Sequence, residues 1–192
     1  GDWKTLLAQL PKCSERSIVQ YLSEHPTRFD RAFELLDQNL KILYVSAYQS
    51  YLWNRTLGEI VRKIPESFEI SYAAGTLVYY RSCPEALKEL SIPLLTPSQS
   101  FEGEVAEITQ RLLAEEGLEQ RMFRLKKLEK TFFGKGVRDA VVAPSRLEAQ
   151  AAPDELNPGR QKWSLSFELP KGSYATVLIK RLFPKVLDSG TR

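Results

Sequence analysis

The sequence predicts an α+β protein, helix-rich at first with short strands later, and closed by a strand–turn–helix. Three observations carry this reading. Apolar residues recur at helical spacing through much of the first 63 residues, with Pro26 and Pro65 as breaks. Runs rich in β-branched and aromatic residues, such as residues 76–80, come later. Near the C-terminus Trp163, Leu165, Phe167 and Leu169 alternate with Ser164, Ser166 and Glu168, and a Pro-Lys-Gly-Ser turn then leads into another apolar run.

In chain order, Ser14 is suited to cap a helix that ends near Glu24, because the residue before Pro26 disfavours the α conformation. Thr27, Arg28, Phe29 and Asp30 resemble a capping box with Asp in the Glu/Gln place, opening a second helix to about Gln38. Phe29, Phe33 and Leu36 share its face. A third, longer helix is predicted over residues 40–63. Residues 76–80 follow Gly75 and read as a strand, and residues 91–100, with two prolines and three serines, as a loop. A helix is expected over 101–116, with Val105, Ile108 and Leu112 on one face and Gly117 as its stop. Residues 137–142 suggest a short strand. Residues 145–162 lack periodicity, hold two prolines and make the strongest candidate boundary in the chain. After Gly172 and Ser173 a helix is expected with Ser173 near its N-cap, although residues 174–179 also fit a strand.

Totals exclude several classes. The 192 residues, 43% hydrophobic and 27% charged, suit one domain or a small domain with an appendage. No apolar run approaches a membrane span, and the first ten residues lack the basic and apolar regions of a signal peptide. Cys13 and Cys83 stand far apart and His25 is the one histidine, so neither a zinc site nor a disulfide scaffold is expected, and no metal. A reducing cytoplasm is the simplest compartment. No Walker, GxGxxG, GxSxG or HExxH motif occurs, and His25 beside Pro26 reads as structural or solvated.

Charge is informative only locally. Net charge is +3, but residues 120–139 hold Arg121, Arg124, Lys126, Lys127, Lys130, Lys135 and Arg138 against Glu129 and Asp139, interleaved with Phe123, Phe132 and Phe133. Such a patch attracts a polyanion such as an RNA backbone, or is a solvated face. Tyr44, Tyr48, Tyr51 and Trp53 on the long helix read as core and interface filling rather than base contacts.

Three segments resemble one family. "YVSAYQSYLWN" (residues 44–54), "KGVRDAVVAP" (135–144) and "FELPKGSYATVLIKRL" (167–182) are similar, in order and spacing, to segments of TruD-type tRNA pseudouridine synthases, over about residues 1–183. The resemblance implies a pseudouridine-synthase catalytic domain, built on a mixed sheet, with a second domain inserted into it. Residues 1–142 would be the inserted TRUD-type domain, and 143–192 the C-terminal strand–turn–helix piece of the catalytic domain. It implies isomerisation of a tRNA uridine, usually at position 13, to pseudouridine by an Asp nucleophile, with no cofactor. Tyr174 would contact the target uracil, with Gly172 and Ser173 allowing close approach and Lys180 standing where the family often has Arg. Arg121, Arg124, Lys126, Lys127, Lys130 and Arg138 would meet the tRNA backbone.

The family's nucleophile lies in a Gly-x-Lys-Asp-x-x-Ala-x-Thr-x-Gln segment. None of Asp2, Asp30, Asp37, Asp139, Asp154 and Asp188 sits in such a segment, and no catalytic residue is expected in this chain. The chain therefore reads as the C-terminal part of an enzyme whose N-terminal catalytic segment lies elsewhere, inactive alone, and its initial Gly rather than Met agrees. The alternative is a catalytically silent RNA-binding or interaction module of the same fold.

Overall fold

The computed structural model describes residues 2–13, 15–72, 75–125 and 133–184. Its helices are α1 (Trp3–Gln9), α2 (Arg16–Glu24), α3 (Phe29–Glu34), α4 (Gln38–Arg62), α5 (Glu85–Lys88), α6 (Gly103–Glu115) and α7 (Ala175–Leu182). Its strands are β1 (Phe68–Tyr72), β2 (Gly75–Tyr79), β3 (Ser91–Pro93), β4 (Val137–Asp139), β5 (Ser145–Pro153) and β6 (Gln161–Glu168), with a 3-10 turn at Gln120–Phe123. Among the described residues every sheet has two strands: β1–β2, β3–β4 and β5–β6. The α+β class holds, with short strands added to a helical start. The chain forms two compact units, Gly1–Thr56 with Pro93–Val137, and Leu57–Ile92 with Arg138–Arg192. This grouping by contact does not follow a single cut in the sequence.

In the first unit Asp2 caps α1, its carboxylate accepting from the Thr5 N–H at 3.1 Å and the Thr5 hydroxyl at 2.6 Å. Arg16 then ties α2 to the end of α1, donating to the Leu7 and Leu10 carbonyls that the helix leaves without partners. The core gathers Leu52 from α4, Leu95, Leu113 from α6 and Phe123, with Tyr48, Phe101, Leu118 and Phe133 around it. Gln49 is buried there. Its amide donates at 2.8 Å to the carbonyls of both Leu95, which is buried, and Gly134, half-buried, in segments without regular structure. Arg55 joins α4 to α6 through Glu115 at 2.7 Å and Glu116 at 2.9 Å.

In the second unit β1 and β2 form an antiparallel hairpin that pairs Phe68 with Tyr79, Ile70 with Leu77 and Tyr72 with Gly75. The last turns of α4 lie close to it, with Gly58 leaving 3.4 Å between a would-be Cβ and Val78. β5 and β6 form a longer antiparallel hairpin pairing Ala149 with Leu165 and Ala151 with Trp163, with a bulge between Ser145 and Glu148.

Several sequence expectations need correction. Residues 145–162, read as a candidate boundary for want of periodicity, are mostly β5 and the turn into β6. The alternation of Leu147, Ala149 and Ala151 is weak because alanine carries little hydrophobic signal, and Pro153 stands at the strand end, where a missing N–H costs least. Asp154 shapes the turn by accepting from the N–H groups of Leu156 and Asn157. The second helix starts at Phe29 with Arg28 at its N-cap and no side-chain cap, so Thr27 does not form the expected box; Arg28 instead pairs with Asp30. Ser14 lies outside the described residues. Tyr174, not Ser173, is the N-cap of α7. α1, α5, β1 and β3 were not foreseen.

The expected stop at Gly117 is present as a Schellman motif: Leu118 N–H reaches Leu113 C=O at 2.8 Å, Gly117 N–H reaches Ala114 C=O at 3.0 Å, and Gly117 has φ +66°. A Cβ there would meet nothing within 4 Å, so its cost is conformational alone. Gly117→Ala is expected to lower stability by about 1 kcal/mol in urea denaturation, and Gly117→Asn by less. Equal stability of wild type and Ala would contradict this.

Candidate functional site

Half-buried Leu165, Phe167 and Leu169 fix β6 on one face, and the chain then turns at residues 170–173. Ser173 N–H donates to Pro170 C=O at 3.1 Å, and Gly172 has φ +91°, a conformation that side chains resist. A Cβ on Gly172 would have no neighbour within 4 Å, so the turn lies open. Tyr174 comes next, extended at φ −110° and ψ 109°, with its carbonyl accepting from Val177 N–H at 3.0 Å to start α7. Tyr174 is 57% exposed, so the core role open to it in the sequence is not the one it has here.

The rest of α7 is held by the β1–β2 hairpin. The Tyr79 hydroxyl donates to Val177 C=O at 3.2 Å. The Lys180 ammonium lies 5.0 Å from the Tyr72 ring centroid, and the Arg181 guanidinium 4.1 Å from that of Tyr80. Burial pushes the Tyr79 phenol up to about 12, against a smaller opposing pull from Arg181, so it remains a donor throughout the neutral range. Burial likewise raises Tyr80, helped by its hydrogen bond with Cys83. These tyrosines were missed as functional candidates. The Tyr-rich run was visible, but pairing with cations about a hundred residues later leaves no local signal.

The described cations singled out in the sequence fall in both units. Arg121 and Arg124 are exposed at the 3-10 turn of the first unit, Arg121 pairing with Glu119, while Phe123 between them turns into the core. Arg138 is half-buried on β4 in the second unit, and Lys126, Lys127 and Lys130 lie outside the described residues. On α4 Tyr48 stacks on Tyr51 at 6.0 Å and on Phe123 of the core at 6.4 Å, the packing expected of it. Tyr44 and Tyr51 are exposed.

Acid–base chemistry has little support among the described residues. Asp139 accepts from the Ser91 hydroxyl at 2.6 Å in an exposed position, and no group of three His, Cys, Asp or Glu is placed to hold a metal. No described helix is long and apolar enough to cross a membrane. What the second unit offers is an exposed aromatic face beside an open glycine turn, on a helix whose far end is tied down. That suits holding a flat group.

The family model for tRNA pseudouridine synthase D (TruD) matches residues 1–90 and 79–182. The protein named "Probable tRNA pseudouridine synthase D 2" from Methanocaldococcus jannaschii is 34% identical over 95% of this chain and 46% of its own length. The tRNA pseudouridine synthase D of Aquifex aeolicus is 31% identical over 95% and 47%. A crystal structure of the TruD protein from Methanosarcina mazei superposes with a TM-score of 0.63 at 27% identity, over 93% of this chain and 46% of that one. The chain thus spans about half the length of the curated relatives it matches. Family model and relatives cover nearly all of it, and the chain belongs to the TruD family of tRNA pseudouridine synthases.

Proposed function

We propose that this chain is the C-terminal part of a cytoplasmic tRNA pseudouridine synthase, isomerising a uridine, expected at position 13, and that it holds the target base without supplying the nucleophile. The exposed Tyr174 ring at the start of a fixed helix, inside the segment that resembles the family's closing motif, carries this reading. A uridine within folded tRNA has to be flipped out to be reached. Tyr174 then stacks on the uracil, and the open turn at Gly172 and Ser173 lets the backbone come close. Lys180, held over Tyr72, supplies positive charge about 9 Å further along the helix, at ~1.5 Å per residue. Arg121, Arg124, Lys126, Lys127, Lys130 and Arg138 contact the tRNA backbone.

Within the whole protein residues 1–142 belong to the inserted domain and 143–192 to the catalytic domain, whose remaining part includes the Asp nucleophile. Two observations support that division of labour. None of the chain's six aspartates stands in a Lys-Asp-x-x-Ala-x-Thr-x-Gln segment. And the β5–β6 hairpin exposes nearly all of β5 together with Trp163, although an isolated two-stranded hairpin is at best marginal in water and calls for neighbours. The same want of a nucleophile favours the second reading, a catalytically silent RNA-binding module of this fold.

Three measurements test these statements. The chain alone, given unmodified tRNA and read by carbodiimide-dependent reverse-transcription stops, is expected to make no pseudouridine, whereas the full-length protein does. Conversion by the chain alone would place the nucleophile within it, and an inactive full-length protein would favour the silent module.

In a salt series, changing Arg121, Arg124, Lys126, Lys127 and Lys130 to Ser is expected to flatten the log–log slope of tRNA affinity by about 0.7–0.9 per lost phosphate contact. An unchanged slope would mark these cations as merely solvated.

In the full-length enzyme Tyr174→Phe keeps the ring face and should cost little. Tyr174→Leu should slow single-turnover conversion by roughly tenfold or more, the rate equivalent of ~1–3 kcal/mol of stacking. If Leu proves no slower than Phe at equal thermal stability, the stacking role is wrong.

A further inference from the structure

Three contacts converge on α7 from one hairpin. Tyr79 donates to the Val177 carbonyl, Tyr72 underlies the Lys180 ammonium, and Tyr80 underlies the Arg181 guanidinium. Tyr79 is buried, and its ring also stacks on Phe68 at 5.5 Å, with Arg81 over the far ring at 5.4 Å. The anchor is thus rigid on the hairpin side. On the helix side it grips residues 177, 180 and 181, one to two turns from Tyr174, and leaves Tyr174 itself in solvent.

We infer that Tyr72, Tyr79 and Tyr80 are positioning residues for the base-holding helix: they fix the direction of α7, and thereby the plane of the Tyr174 ring, without touching the substrate. The inference rests on the stacking role of Tyr174 proposed above. A bound base gains from stacking only when the ring waits in the right plane, and a helix of eight residues has too few internal hydrogen bonds to hold itself. The contacts are chemically matched to this task. A phenol can satisfy a helix carbonyl from the side, and an aromatic face can hold a cation while the cation's far side stays open to an anion. Tyr72 also faces Gly75 across the hairpin, so no opposing side chain competes for its ring.

The test uses the full-length enzyme under single-turnover conditions, in two backgrounds. Tyr79→Phe removes one hydrogen bond and is expected to slow conversion about two- to tenfold while tRNA affinity stays unchanged. Tyr72→Leu is expected to do the same by about two- to fivefold, and Tyr72→Phe, which keeps the ring face, to restore wild-type rate. When Tyr174 is already Leu, neither Tyr79→Phe nor Tyr72→Leu should slow the reaction further, because there is no ring left to aim. Equal effects in both backgrounds would overturn the positioning role while leaving Tyr174 stacking intact. No effect of Tyr79→Phe or Tyr72→Leu in the wild-type background would do so as well. A Tyr174→Leu enzyme as fast as wild type would remove the stacking reading and this inference together.

Discussion

The contact on which the proposed site depends is the grip of the β1–β2 hairpin on α7, made by one phenol hydrogen bond and two cation–aromatic pairs. Each is modest: a hydrogen bond is worth about 1 kcal/mol net and a cation–aromatic pair about 0.5–1 kcal/mol at an exposed site. Their value lies in acting on the same short helix. α7 has no fully buried residue, so apolar packing alone gives it no unique direction. Directional contacts therefore decide where it points, and Tyr174 inherits that direction as its N-cap.

In the first unit the corresponding constraint is Gln49. Ion pairs such as Arg55 with Glu115 are more visible, but they sit in partly exposed positions where such pairs contribute little. The Gln49 amide serves a buried carbonyl and a half-buried one from segments 46 and 85 residues away, and losing it would leave both without this partner. It holds irregular chain against α4, whereas in the second unit the tyrosines of a regular hairpin hold α7.

How much of this was legible in the sequence follows from where the signals are local. α4 and α6 were readable because their apolar spacing is local and Pro65 and Gly117 stand just past their ends. β6 and α7 were readable from alternation and the Pro-Lys-Gly-Ser turn. β5 was not, because nearly all of it is exposed and alanines replace larger apolar residues along it, so periodicity carries almost no hydrophobic contrast. The Thr27 box failed: the helix starts one residue later, with Arg28 at its N-cap and no side-chain cap. Tyr174 was found through its motif; its exposure, which separates a stacking ring from a core ring, depends on three-dimensional surroundings. The anchoring tyrosines were invisible as a set, since their partners are fixed by tertiary pairing alone. The two-unit grouping joins residues 57–92 to the C-terminal segment, a link that no composition shift announces.

The most direct measurement is a crystal structure of the full-length enzyme bound to a tRNA in which the target uridine is flipped but unreacted. The Tyr174 ring is expected to lie over the uracil with centroids about 4.5–7 Å apart. Tyr79 would still donate to Val177. A uracil held by another ring, with Tyr174 folded against protein or left in solvent, would contradict the role assigned to this helix.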